Sequence, residues 1–169
     1  MAINNVYKWK IGFSKHLVFL DEKGYIRNHK LTIRDAEDSF RIFGVNTPVF
    51  IQRTIEAMQL DVKFEIYEGF IYQISGPLSL TVIEKVTGES QRDLKFLQTK
   101  AIRIPGVDAD LELSRIGMSG TLAYEIRGKV DDALAVYNKI YEAGLPYGMK
   151  RLGWRTYSVN HAEGGYPQG

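Results

Sequence analysis

Residues with chemistry to offer gather in two places. In SRIGMSGTLAYEIRG (114–128) two glycines three apart, Gly117 and Gly120, stand between stretches that read as strand. Glycine there lets a backbone bend sharply or approach a ligand closely. Glu125 follows inside an apolar run, flanked by Tyr124 and Ile126. It has two readings: a solvated residue on the polar face of its strand, or a recognition carboxylate that holds an amidine-like ring edge through two parallel charge-assisted bonds. The second place is the tail, LGWRTYSVNHAEGGYPQG (152–169), with Arg155, Tyr157, His161, Glu163 and Tyr166. As a solvated helix face this suits Arg155. The two glycines and the proline of HAEGGYPQG interrupt a helix and favour a stretch that lines a pocket.

Other chemistries are disfavoured. No GxxxxGK[ST], no GxGxxG after a strand, no HExxH and no GxSxG occurs. His16, His29 and His161 are far apart, no two at metal-ligand spacing, so no metal is expected. The absence of cysteine excludes disulfides and thiolate sites and suits a reducing compartment. A net charge of +2 is too small to argue for nucleic acid or a membrane surface as partner. No window approaches the ~18 continuous apolar residues of a membrane span. The first residues, MAINNVYKWKIGF, lack a signal peptide's apolar stretch. A cytoplasmic protein is the expectation. With 169 residues, 44% hydrophobic and 25% charged, one domain with a real core is affordable.

The elements that must position these residues follow from pattern. IGFSKHLVFL (11–20) and YIRNHKLTI (25–33) read as a hairpin turned at DEKG, where Gly24 can take φ > 0, and SFRIFGV (39–45) as a third strand. VFIQRTIEAMQL (49–60) has helical spacing. DVKFEIYE (61–68) and FIYQISG (70–76) read as a hairpin around Gly69. In 76–88, Pro77, Leu80, Ile83, Val86 and Gly88 mark a helix from start to αL cap. The segment 99–117 reads as a hairpin bent at Pro105-Gly106, 122–128 as a strand and 131–144 as a helix. This is an α+β pattern with mainly antiparallel sheets, packed helices and ferredoxin-like units. One domain over 1–169 is expected, with sub-units 1–68 and 69–169 as the natural division.

Three stretches in order carry a family resemblance. YQISGPLSLTVIEKVTG resembles the LQGP-plus-helix signature of the glycine-cleavage T-protein superfamily, the folate-binding aminomethyltransferases. SRIGMSGTLAYEI is similar to its R-x-G-Y-[ST]-G-E-x-G-x-E-[IV] stretch, and YEAGLPYGMKRLGWRTYSVNHAEGGYP to its AG…G-L-x-x-x-G-x-R…E-x-G segment. The likeness runs from about Val6 to the end. Within the superfamily it leans towards the tetrahydrofolate-dependent aromatic O-demethylases of the vanillate and syringate type. Met118 stands where those enzymes have Met in place of a pterin-contacting Tyr. Arg155, Tyr157, Asn160, Glu163 and Tyr166 follow their R-x-Y-x-x-N-x-x-E-x-G-[aromatic] run.

The resemblance implies a tetrahydrofolate site with Glu125 on the amino-pyrimidine edge of the pterin, and Gly117, Met118, Glu163 and Tyr166 lining it. It implies that Tyr157 assists transfer of a methyl group from a small-molecule donor, a methoxylated aromatic acid, by helping the departing phenolate. Where the T-protein carries its aspartate, this chain has Gly24-Tyr25-Ile26-Arg27-Asn28-His29, with no carboxylate. His29 is the substitute acid–base candidate, with a plain surface histidine as the alternative. Relative to the family, the amino-terminal segment and the carboxy-terminal barrel are expected to be missing, which leaves self-association open. The alternatives are aminomethyl transfer of the T-protein kind and a non-catalytic folate-binding or scaffold protein. The iron–sulfur assembly branch, with its KGCYxGQE-like motif, is disfavoured by the absence of cysteine.

Overall fold

The computed structural model describes residues 4–44, 47–117 and 120–165. The chain divides into two compact units, one reaching to Tyr67 and one beginning at Glu68. The architecture is α+β with antiparallel sheets, as the pattern predicts.

In the first unit, strands β1 (Ser14–Leu20), β2 (Ile26–Arg34) and β3 (Phe40–Ile42) form a sheet in that order. The β1–β2 turn forms because Asp21 closes it. Its Oδ1 accepts from the backbone N–H groups of Lys23 and Tyr25, each at 2.9 Å, while the Asp21 N–H donates to the Tyr25 carbonyl at 3.0 Å. Leu17 and Phe19, on one face of β1, bury with Trp9. The Trp9 indole donates to the Phe13 carbonyl at 2.7 Å, so its polar edge costs little. Helix α1 (Thr47–Met58) seats Phe50 edge-on against Phe19, ring centres 5.9 Å apart.

In the second unit, β4 (Gly69–Ser75), β5 (Thr99–Ile104), β6 (Val107–Ser114) and β7 (Ala123–Lys129) make an antiparallel sheet of order β4-β7-β6-β5. Side chains alternate across a strand. Phe70 and Ile74 of β4, Tyr124 and Ile126 of β7, and Leu111 and Leu113 of β6 therefore share one face. They bury against Val82, Ile83 and Val86 of α2 (Ser79–Thr87) and Val136 and Ile140 of α3 (Ala133–Gly144). Helix α2 ends as expected: Gly88 takes φ +72° and donates to the Glu84 carbonyl. The opposite face of the same strands carries Gln73, Ser114, Glu125 and Arg127. A last helix, α4 (Trp154–Glu163), ends at Gly164.

Two expectations are corrected. The hairpin of 61–68 with 70–76 does not form: 61–68 holds no strand, and β4 pairs instead with β7. Gln59 takes a left-handed φ of +49° at the end of α1, and the Val62 N–H turns back to the Leu60 carbonyl at 2.9 Å. An alternating pattern becomes a strand only where a neighbour's backbone pairs with it, and Val62 and Ile66 are left exposed. The tail is also more helical than its glycines suggest. Helix α4 runs through His161 and Glu163 before the glycines stop it. Val45 of the third expected strand lies outside the described residues.

Candidate functional site

The polar face of the second sheet is where Glu125 lies. It sits mid-strand in β7, opposite Gln73 of β4 and Ser114 of β6, and is only 6% exposed. The solvated reading of this carboxylate is therefore excluded. Two residues on, and so on the same face, Arg127 is buried too, and its guanidinium donates to Glu125 Oε2. The same guanidinium donates to Ser114 Oγ, which lies 2.6 Å from Thr99 Oγ1 of β5. Gln73 Nε2 makes a long contact of 3.4 Å to Glu125 Oε1. A polar chain thus crosses the sheet from β4 through β7 and β6 to β5, on the side away from the apolar core.

Burial pushes the Glu125 carboxyl upward from its ordinary pKa, and the Arg127 charge and the Gln73 amide pull it partly back. An arginine does not lose its proton in a protein. A neutral Glu125 would strand a buried guanidinium, so the pairing favours the ionised carboxylate.

Tyr157 comes from α4. On that helix Tyr157, Ser158 and Asn160 are half-buried, and His161 is its one buried side chain. Burial raises the Tyr157 hydroxyl above the ordinary phenol range, and the negative charge of Glu125 raises it further. Glu125 and Tyr157 both belong to the second unit, on β7 and on α4. The Tyr157 ring is flanked along its helix by Trp154, centroids 5.5 Å apart, and by His161, at 4.2 Å.

The remaining predicted residues fall as follows. Gly117 sits in the loop after β6. A Cβ there would lie 2.6 Å from the Thr121 carbonyl oxygen and 3.0 Å from the Ala123 Cβ. Its smallness lets the loop close against the start of β7, two residues before Glu125. Glu163 is exposed at the last position of α4. His29 lies in the first unit, in β2, half-buried, its ring 6.0 Å from that of His16 on β1. Met118 and Tyr166 lie outside the described residues. Among the described residues, no group of three His, Asp or Glu could hold a metal ion, and no helix is long and apolar enough to cross a membrane.

Arg127, Gln73, Ser114 and Thr99 were not singled out by sequence. Arg127 left a signal: opposite charges two apart in an apolar strand must share a face. The other three depend on cross-strand register, which no local pattern records.

Comparison with known proteins bears on the family and the fold. The model of the GCVT N-terminal domain matches residues 1–168. Sesamin methylene transferase of a Sinomonas strain is 33% identical over 99% of this chain and 36% of its own length. Syringate O-demethylase of a Sphingobium strain is 25% identical over 98% of the chain and 38% of its own length. The chain thus spans little more than a third of these two relatives. Among solved structures, the glycine cleavage system aminomethyltransferase T from Bartonella henselae superposes with a TM-score of 0.64 at 20% identity, over 82% of this chain and 38% of that one. A buried strand carboxylate on an antiparallel α+β frame, matched along its length by one family model, leads to one assignment: the chain belongs to the GCVT N-terminal domain family.

Proposed function

We propose that this chain forms the pterin-binding part of a tetrahydrofolate-dependent one-carbon transferase, and that the one-carbon unit comes from a methoxylated aromatic donor. The observation that carries the reading is the buried Glu125, paired with Arg127 on the polar face of the second sheet. The fit of the folate can be tested on the donor set. A carboxylate offers about four lone-pair sites. Arg127 uses Oε2 and Gln73 leans on Oε1, which leaves acceptor capacity on both oxygens for a flat edge bearing two N–H donors. That is the edge an aminopyrimidinone ring presents. Glu125 would bind and orient the ring, and Arg127 would keep the carboxylate charged while it does so.

When bound, tetrahydrofolate supplies the nucleophilic nitrogen that accepts the one-carbon unit. The protein's part is positioning and proton supply. Tyr157 holds its proton more firmly than an exposed phenol, because of burial and the Glu125 charge. It therefore stays a donor through neutral and mildly alkaline pH, able to hydrogen-bond an ether oxygen as negative charge develops there. The names of two relatives, a methylene transferase acting on sesamin and an O-demethylase acting on syringate, favour an aromatic ether over the aminomethyl donor of the T-protein. So does the run Gly24-Tyr25-Ile26-Arg27-Asn28-His29, which lacks a carboxylate.

The experiment is transfer of a labelled methyl group from a methoxylated aromatic acid to tetrahydrofolate, with the parent chain and with Tyr157→Phe. Label should move to the folate with the parent and not with the variant. Transfer that survives intact in Tyr157→Phe would remove the tyrosine from the reaction.

A further inference from the structure

Helix α4 has an unusual buried face. Its one buried side chain is His161, 5% exposed, while the apolar Val159 is 55% and Trp154 74% exposed. Fastening a helix to a protein needs only an apolar side chain at the buried position. An imidazole holds that position instead, and its flat ring packs on a neighbouring ring. His161 touches the ring of Tyr157, at 4.2 Å and tilted 51°. One turn earlier, Trp154 meets the same ring at 5.5 Å and 31°. The spacings, three residues and four, place all three side chains on one stripe of the helix. Tyr157 is therefore gripped along the helix axis from both sides, by an exposed ring and a buried one.

A tyrosine side chain has two rotatable bonds. Left alone on a half-buried helix face, its hydroxyl could swing between the interior and solvent. Contacts on both sides of the ring remove that freedom in advance, so the ordering cost is met before any ligand arrives. We propose that Trp154 and His161 form a ring clamp that holds the Tyr157 hydroxyl in one position, with the buried His161 as the deciding half. The inference rests on the reading of Tyr157 as the group that aids transfer, and it deepens that reading by naming what aims the hydroxyl.

The test is the alkaline titration of Tyr157 itself, followed in the near-ultraviolet spectrum. The chain has 10 tyrosines, so each curve is taken as the difference from the same chain carrying Tyr157→Phe. His161→Phe keeps a ring and His161→Ala removes it. With the clamp as described, the Tyr157 midpoint in His161→Ala moves down, towards that of an exposed tyrosine, and His161→Phe restores the parent value. A parent-like midpoint in His161→Ala would overturn the proposal. So would an equal fall in the Phe variant, which would assign the effect to the imidazole's polarity instead of its ring. If His161→Ala does not fold, Trp154→Ala takes its place, since its exposed side chain is not needed for the core. A downward shift there supports the clamp and an unmoved midpoint overturns it. No folate enters these titrations. Their failure would sink the clamp alone, whereas absence of label transfer in the parent would sink the functional reading alone.

Discussion

Replacing Arg127 with methionine removes the positive charge from a pair in which the side chains are 4% and 8% exposed, and keeps most of the volume. The carboxylate left behind is buried without its counter-charge. Breaking a buried pair from one side costs about 3–5 kcal/mol, against a total stability of about 5–15 kcal/mol for a domain. At neutral pH the variant should lose that much in urea denaturation followed by circular dichroism. The loss should depend on pH. Burial already raises the Glu125 pKa above its unfolded value, and Arg127 opposes this. With Arg127 gone the folded pKa rises further. A group whose folded pKa is raised contributes fully below its unfolded value and loses that contribution as pH climbs through the folded one. The variant should therefore regain stability on acidification, where the carboxyl is neutral and only the roughly 1–3 kcal/mol of an imperfectly satisfied polar group remains. Adding Glu125→Gln should recover much of the neutral-pH loss, which a double-mutant cycle reads as coupling. A pH-independent loss of less than about 1 kcal/mol, the scale of an exposed pair, with no rescue by Glu125→Gln, would refute the reasoning.

Three further outcomes follow from the same geometry. Tyr157→Phe should leave tetrahydrofolate affinity nearly unchanged and slow methyl transfer by about 10²–10⁴-fold, the usual worth of a positioned acid; equal loss of both would merge the two roles. Stability should fall as pH rises through the ordinary phenol range, because burial raises Tyr72, Tyr124 and Tyr157 and the unfolded chain releases those protons first; Tyr157→Phe should lessen that fall without abolishing it. Ser114→Ala removes an acceptor from Arg127 and a partner from Thr99, and should cost about 1–3 kcal/mol in chemical denaturation.

Much of the frame is legible in local sequence because local rules decide it. The turn between β1 and β2 needs an Asp and a Gly at set places, and both are there. The ends of α2 are written in Pro77 and Gly88. Alternation marks β5, β6 and β7. Where partners decide, local pattern misleads. Residues 61–68 alternate as well as any strand, yet they find no neighbour in the described structure, because β4 spends its bonds on β7. The tail shows the reverse. Trp154 to Glu163 has no apolar stripe to advertise a helix, since the side chains facing inward are Tyr, Ser, Asn and His, and its glycines mask the three turns before them. At the site, Glu125 stands out as a carboxylate among apolar neighbours and Arg127 as its face-mate. Their contacts with Gln73 and Ser114 exist only once β4, β6 and β7 have settled their register.

The claim that joins these findings is that Glu125 is a recognition carboxylate for a pterin edge. Calorimetric titration of the full chain with tetrahydrofolate, in parent and Glu125→Gln, tests it directly. Glutamine keeps the shape but turns one acceptor oxygen into a donor facing the ring. Each hydrogen bond to a charged group is worth about 1.5–3 kcal/mol, so the loss of one or two should weaken binding by roughly 10- to 100-fold or more, at about 1.4 kcal/mol per tenfold. Micromolar binding by the parent that falls by at least tenfold in Glu125→Gln is the predicted result. Equal affinity of the two proteins, or no heat from the parent under the same conditions, would contradict the assignment.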